Sequence, residues 1–238
     1  MSSTPNFNFL ARPYRWLEYA TFGPFLARAR RAFLPEVTTC RHALVLGDGD
    51  GRFTTRLLRT NPIVQIHAID ASPAMLSALI RQAGPHAARI RTQQADIRSW
   101  RPKIPEGGNQ QTQCEPPPSV CPTAGGYDAI FTHFFLDCLT TGEVQSLAAT
   151  VRRAAAPSAV WVISDFAIPP SAYGRLIARP LIWTLYRAFA LLTGLTVNSL
   201  PDHQSALRAS GFTLQTRRTF LGGLLISELW SAAPHQTH

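Results

Sequence analysis

His42-Ala43-Leu44-Val45-Leu46-Gly47-Asp48-Gly49-Asp50-Gly51-Arg52-Phe53 is the stretch that decides the fold. The apolar run Ala43 to Leu46 reads as a short strand covered on both faces, as strands of parallel sheets are. Gly47, Gly49 and Gly51 then break it. Thr54-Thr55-Arg56-Leu57-Leu58 resumes with helical character. Strand, glycine turn and helix form the opening of a nucleotide-binding crossover, in which glycine lets the backbone turn tightly beside a ligand. The pattern is G-x-G-x-G. A dinucleotide fingerprint would need its third glycine at position 52, which is Arg52. No G-K-[ST] follows, so a phosphate-cradling loop is not expected. Asp48 and Asp50 lie inside the loop, where carboxylates suit a helix dipole but repel a pyrophosphate. A nucleoside without phosphates is the expected ligand.

A second short run, Ile66-His67-Ala68-Ile69-Asp70, ends in an acid nineteen residues after Gly51. An acid at the end of the second strand is placed to bind both hydroxyls of a ribose. Ala71-Ser72-Pro73 follows, and the next helix begins near Met75.

These residues resemble the class I S-adenosylmethionine-dependent methyltransferases. The resemblance rests on Leu46-Gly47-x-Gly49-x-Gly51, on Ala68-Ile69-Asp70-x-Ser72-x-x-Met75-Leu76 and on Ala95-Asp96-Ile97, within about residues 40–165. It implies S-adenosylmethionine as cofactor. Gly47, Asp48, Gly49, Asp50 and Gly51 would pass the methionine part, Asp70 would hold the ribose, Asp96 with Ile97 would border the adenine, and Ala71, Met75 and Thr132 would also line the cofactor site. One position departs from the family: the usual acid two residues before the first glycine is Val45. Asp48 or Asp50 is then the candidate partner for the ligand's ammonium group. The resemblance also implies a Rossmann-like α/β fold, with a mostly parallel seven-stranded sheet and an antiparallel C-terminal hairpin.

The chain has 238 residues and a formal charge of +9, carried by arginines and the single lysine Lys103. Such a charge favours anionic partners. The arginines are scattered, which describes a solvated surface better than a nucleic-acid site. Cys40, Cys114, Cys121 and Cys138 form no C-x-x-C and have no histidine at zinc spacing, so no metal is expected. Met1 to Phe9 lacks the basic-then-apolar pattern of a secretion signal. A cytoplasmic protein is the expectation.

Arg12 to Phe33 is rich in aromatics and arginines, and reads as an N-terminal helical cap over 1–38, with Tyr14 or Tyr19 facing the ligand. Strands are expected at 43–46, 65–69, 89–94, 128–131 and 159–165, alternating with helices at 50–59, 73–82 and 142–156. Residues 101–126, with Pro116-Pro117-Pro118 and two Gly-Gly pairs, read as an exposed insertion. Ligands of doubly wound sheets sit beyond the carboxyl ends of the strands. That places Thr132, His133, Phe134, Asp137 and Asp165 near the site. His133, Asp137 and Tyr173 are the candidates for a general base. Residues 170–200 are apolar with interspersed arginines. Arg179 and Arg187 forbid a membrane span, leaving a helical lid over the substrate or an amphipathic surface that touches lipid. Asp202 to Gly211 reads as a capped helix, followed by a hairpin around Gly222-Gly223.

Methyl transfer to a small hydrophobic or amphiphilic acceptor is the leading functional expectation. The alternatives are an RNA methyltransferase, suggested by the charge, and a non-catalytic nucleoside-binding scaffold, suggested by Val45.

Overall fold

The central strands are continuous apolar runs whose successive side chains point to opposite, covered faces of one sheet. A computed structural model describes residues 22–102, 126–184 and 200–233. Its strands are β1 (His42–Leu46), β2 (Gln65–Asp70), β3 (Ile90–Gln94), β4 (Tyr127–His133), β5 (Ala155–Phe166), β6 (Phe212–Phe220) and β7 (Leu225–Ala232). They form one seven-stranded sheet in the order β3-β2-β1-β4-β5-β7-β6. The first five strands are mutually parallel, and β7 runs antiparallel to both β5 and β6. This is the Rossmann-like sheet with an antiparallel C-terminal pair that the sequence predicts.

The helices are α1 (Phe25–Arg30), α2 (Arg52–Thr60), α3 (Pro73–Ala83), α4 (Thr141–Ala154), α5 (172–184, with a π turn at Gly174–Ala178) and α6 (His203–Ala209). On one face of the sheet Ala43, Val45, Ile66, Ala68, Phe131 and Val162 meet Phe53, Leu57 and Leu58 of α2 and Leu79 of α3. On the other face Leu44, Leu46, Ile130, Trp161, Ile163 and Trp230 meet Val144, Leu147 and Val151 of α4 and Leu207 of α6. A third cluster joins Phe22, Leu26, Phe166, Leu224 and Leu225 to Ala178 and Ile182 of α5 at the carboxyl end of β5.

Helix starts follow from local chemistry. The Ser72 hydroxyl accepts from Met75 N at 3.3 Å, with Pro73 in the first turn of α3. Thr140 and Glu143 form a reciprocal capping box on α4, an arrangement worth about 1 kcal/mol. Asp202 caps α6 through Ser205 N at 3.1 Å. Gly51 stands at φ 82° before α2, and a Cβ there would lie 2.9 Å from Leu79 Cα. Glycine therefore allows both the left-handed turn and the close approach of α2 to α3.

Two of the shifted boundaries concern β4 and β5. β4 runs on to His133, because Thr132 and His133 pair with Ile163 and Ser164 of β5. β5 begins at Ala155, where α4 was expected to continue. Tyr14, Tyr19, most of the 101–126 insertion and the 185–199 part of the expected lid lie outside the described residues.

Candidate active site

The corner between β1 and β2 is built by backbone hydrogen bonds. Gly47 N donates to Ile69 O at 2.9 Å, which binds the start of the glycine loop to the end of β2. Gly47, Gly49 and Gly51 all have positive φ, at 66°, 61° and 82°. Asp70 Oδ1 accepts from Ser72 N at 2.8 Å. The backbone of Gly49 and Ala71 lies close enough to the Asp70 carboxylate to pull its pKa down, but burial raises it on balance. Asp70 thus sits against the glycine loop. Ala95 N donates to Asp70 O at 3.1 Å, so the loop after β3 adjoins the same acid. In that loop Asp96 Oδ1 accepts from Arg98 N at 3.0 Å. Gly47, Asp48, Gly49, Asp50, Asp70, Ala71, Met75, Asp96 and Ile97 are all partly exposed, in contrast to the buried residues behind them. Nothing lies within 4 Å of where a Gly49 Cβ would be. The corner is an open notch with a carboxylate in its wall.

The two loop acids have partners. Asp48 Oδ2 accepts from Thr54 N at 2.9 Å and caps α2. Burial pushes its pKa up to about 6, against the opposing pull of Thr54 and the Arg30 charge. Asp50 pairs with Arg52 at 2.9 Å. Asp48 therefore occupies the helix N-terminus that a pyrophosphate would need. A ligand carrying a ribose and no phosphate fits this donor and acceptor set.

The far wall comes from the end of β4. Phe134 has φ 53°, a conformation uncommon for a bulky side chain, and its N–H donates to Ser164 O at 2.6 Å. Its ring lies 5.3 Å from that of Phe166, and the Arg30 guanidinium stands 4.9 Å above it. The Phe135 ring covers Gly47 so closely that a Cβ on that glycine would fall 2.1 Å from it. Asp137 N donates to Asp165 Oδ2 at 3.2 Å. Burial raises the pKa of both carboxyls, and the Asp137 charge raises that of Asp165 further.

The other expected residues are placed differently. Thr132 is buried inside β4, where its hydroxyl accepts from Trp161 Nε1 at 3.0 Å, so it faces the core and not the notch. His133 is buried between Phe53, 4.2 Å away centre to centre, and Ser164, whose hydroxyl is 3.0 Å from Nδ1. Burial first, and the Arg30 charge second, push its pKa down to about 3. A histidine so held stays neutral and is poorly placed to take a proton from a substrate. Tyr173 lies in α5 beside the hairpin turn, 3.2 Å from where a Gly222 Cβ would be. Among the described residues no group of histidines, cysteines and acids has the geometry of a metal site.

Arg30 and Phe135 were not singled out in the sequence. Arg30 is one of several arginines in Arg28-x-Arg30-Arg31, and only the packing of α1 selects it. Phe135 sits one residue after a named candidate, in the loop that follows β4.

With this geometry in view, residues 44–161 match the methyltransferase domain family. Over that stretch the chain carries a methyltransferase domain, and its fold is that of the class I S-adenosylmethionine-dependent methyltransferases. No curated protein matches it by sequence. Among solved structures it is similar to the S-adenosylmethionine-dependent methyltransferase SibL, at 19% identity and TM-score 0.63, over 98% of this chain and 63% of that one. It is also similar to the mitomycin 7-O-methyltransferase MmcR, at 15% identity and TM-score 0.62, over 95% of this chain and 60% of that one. A third is the N,N-8-amino-8-demethyl-D-riboflavin dimethyltransferase RosA from Streptomyces davawensis, at 18% identity and TM-score 0.60, over 96% and 62%. The chain thus spans about 60–63% of the length of these three structures.

Proposed function

We propose that the protein transfers a methyl group from S-adenosylmethionine to a small hydrophobic or amphiphilic acceptor. The observation that carries this is the Asp70 carboxylate, held by Ser72 N–H beside the Gly49 backbone and set in an open notch whose helix N-terminus is already filled by Asp48. In that notch the backbone of Gly47, Gly49 and Gly51 would run along the methionine part. Asp70 would accept from the ribose hydroxyls. Asp96 and Ile97 would border the adenine, Ala71 and Met75 would line the same site, and Asp48 or Asp50 would meet the ammonium group. The bound cofactor supplies an electrophilic methyl group, so the protein's task is alignment and exclusion of water.

Phe134, Phe135 and Phe166 offer an apolar wall to an acceptor. Asp137 is the favoured base where the acceptor must lose a proton, because burial brings its carboxyl towards neutrality. Tyr173 is a second polar group on the α5 side. Neighbours named for mitomycin and for an amino-riboflavin are in keeping with a small acceptor. The non-catalytic alternative draws on Val45, which is 1% exposed and packed in the core where the family usually has an acid.

The test is transfer of labelled methyl from S-adenosylmethionine to a panel of phenols, quinols, amines and fatty acids. Turnover of a member, reduced at least tenfold by Asp137→Asn with an altered pH profile, supports the proposal. Cofactor binding without turnover of any member would favour the scaffold.

A further inference from the structure

Five large apolar side chains stand exposed among the described residues: Ile63, Ile168, Leu176, Ile177 and Trp183. Four of the five lie within 168–183, on α5 and the turn leading into it. Leu176 is 76% exposed, Trp183 59% and Ile177 55%. The opposite face of α5 is fixed. Ala178 and Ile182 pack on Phe166, Leu224 and Leu225. Gly174 lies so close to Pro169 that a Cβ would fall 1.7 Å from the proline carbonyl oxygen. With its inner side held this tightly, α5 cannot roll to bury its outer side. Leu176, Pro180 and Trp183 follow the i, i+4, i+7 spacing of a single outward stripe, and Arg175, Ile177 and Arg179 are exposed beside it.

Charge identifies the occupant of that stripe. From Ala167 to Pro201 the sequence holds Arg175, Arg179 and Arg187 and no acid. Arg175 and Arg179 are exposed on α5. The chain as a whole carries +9. An apolar stripe that carries a tryptophan and has arginines beside it has the chemistry of a helix lying in the headgroup layer of an anionic bilayer. A second copy of the chain is a poorer partner, because a two-fold contact through this face would bring the arginines of both copies together with no acid on the segment to pair them.

We propose that α5 docks the protein on an anionic phospholipid surface, with Leu176, Ile177 and Trp183 entering the headgroup boundary and Arg175 and Arg179 meeting lipid phosphates. This inference does not depend on methyl transfer.

The test is co-sedimentation of the full chain with phosphatidylcholine vesicles and with vesicles that also contain phosphatidylglycerol. Binding should require phosphatidylglycerol and weaken with salt. Arg175→Gln with Arg179→Gln should lower the affinity roughly 30-fold, since each cation near such a surface is worth about fivefold. Leu176→Asp with Ile177→Asp should abolish sedimentation while far-ultraviolet circular dichroism stays unchanged. Should that variant misfold, the wild type provides a second readout: vesicles should shift its tryptophan emission to the blue, and Trp183→Phe should remove the shift. Three results would overturn the proposal: no sedimentation with either vesicle, equal sedimentation with both, or self-association of the wild type that Leu176→Asp disrupts.

Discussion

The notch between β1 and β2 and the buried end of β5–β7 both hold carboxylates, but they hold them in opposite ways. In the notch Asp48, Asp70 and Asp96 each accept from backbone N–H groups a few residues along the chain, at Thr54, Ser72 and Arg98, and each remains partly exposed. In β7, Glu228 is fully buried and bound by side chains from other elements. It accepts from His203 Nε2 at 3.0 Å, Gln204 Nε2 at 2.9 Å, Arg217 Nε at 2.7 Å and Trp230 Nε1 at 2.8 Å. Acids held by nearby backbone keep lone pairs available to a ligand. An acid enclosed by four side-chain donors is a structural tie between α6, β6 and β7. Asp165 stands between the two cases. It is buried like Glu228, yet it lines a cleft of about 240 Å³ with Phe166, Ile168, Leu200, His203 and Arg217.

The contrast can be broken by substitution. Glu228→Ala should have the largest effect, a loss of about 3–5 kcal/mol, because it leaves buried donors without an acceptor. Urea unfolding measures this, and a loss below 1 kcal/mol would show that the tie is dispensable. Gly51→Ala comes next, at about 3 kcal/mol, from the left-handed φ together with the collision with Leu79.

Acid should reveal the buried histidines. Burial first, and the charges of Arg91 and Arg30 second, lower the pKa of His67 to about 4 and of His133 to about 3. Unfolded histidine titrates near 6.5. Between that value and the folded ones the unfolded chain binds more protons, so stability falls as pH drops. Each histidine contributes a slope of up to about 1.4 kcal/mol per pH unit. Urea midpoints at pH 7 and pH 5 should differ accordingly, and His133→Gln should reduce the difference.

The smallest effect on stability is expected for Gly49→Ala, about 1 kcal/mol from φ alone, since open space receives the new methyl group. The same variant should bind S-adenosylhomocysteine at least tenfold more weakly. The notch would then be a site that tolerates substitution in folding and not in binding, the reverse of Glu228.

The same contrast explains what could be read from the chain. The glycine loop, Asp70 and Asp96 carry local signals, because strand, turn and helix follow one another within a few residues. The sheet followed from the same runs, with ends shifted by a few residues where pairing with β5 extended β4. Thr132 was expected near the ligand because β4 was expected to end at Phe131, and the extra pairing turns its hydroxyl towards Trp161. His133 attracted attention by residue type, but only tertiary packing reveals the burial that keeps it neutral. Glu228 left one trace in the sequence: it is the only acid in Leu225-Ile226-Ser227-Glu228-Leu229-Trp230, in alternation with Ile226 and Trp230. An acid on the inward side of a strand needs partners, and nothing in the sequence named Gln204 or Arg217 as those partners.

The most direct measurement is calorimetric titration of S-adenosylhomocysteine into the wild type and into Asp70→Asn, which keeps an oxygen for the backbone donors while removing the charge. The wild type should bind in the micromolar range, and Asp70→Asn about 10- to 100-fold more weakly with its melting temperature little changed, as expected when hydrogen bonds to a carboxylate are lost. Absence of wild-type binding at millimolar ligand, or equal affinity in the two proteins, would contradict a cofactor site at the β1–β2 corner.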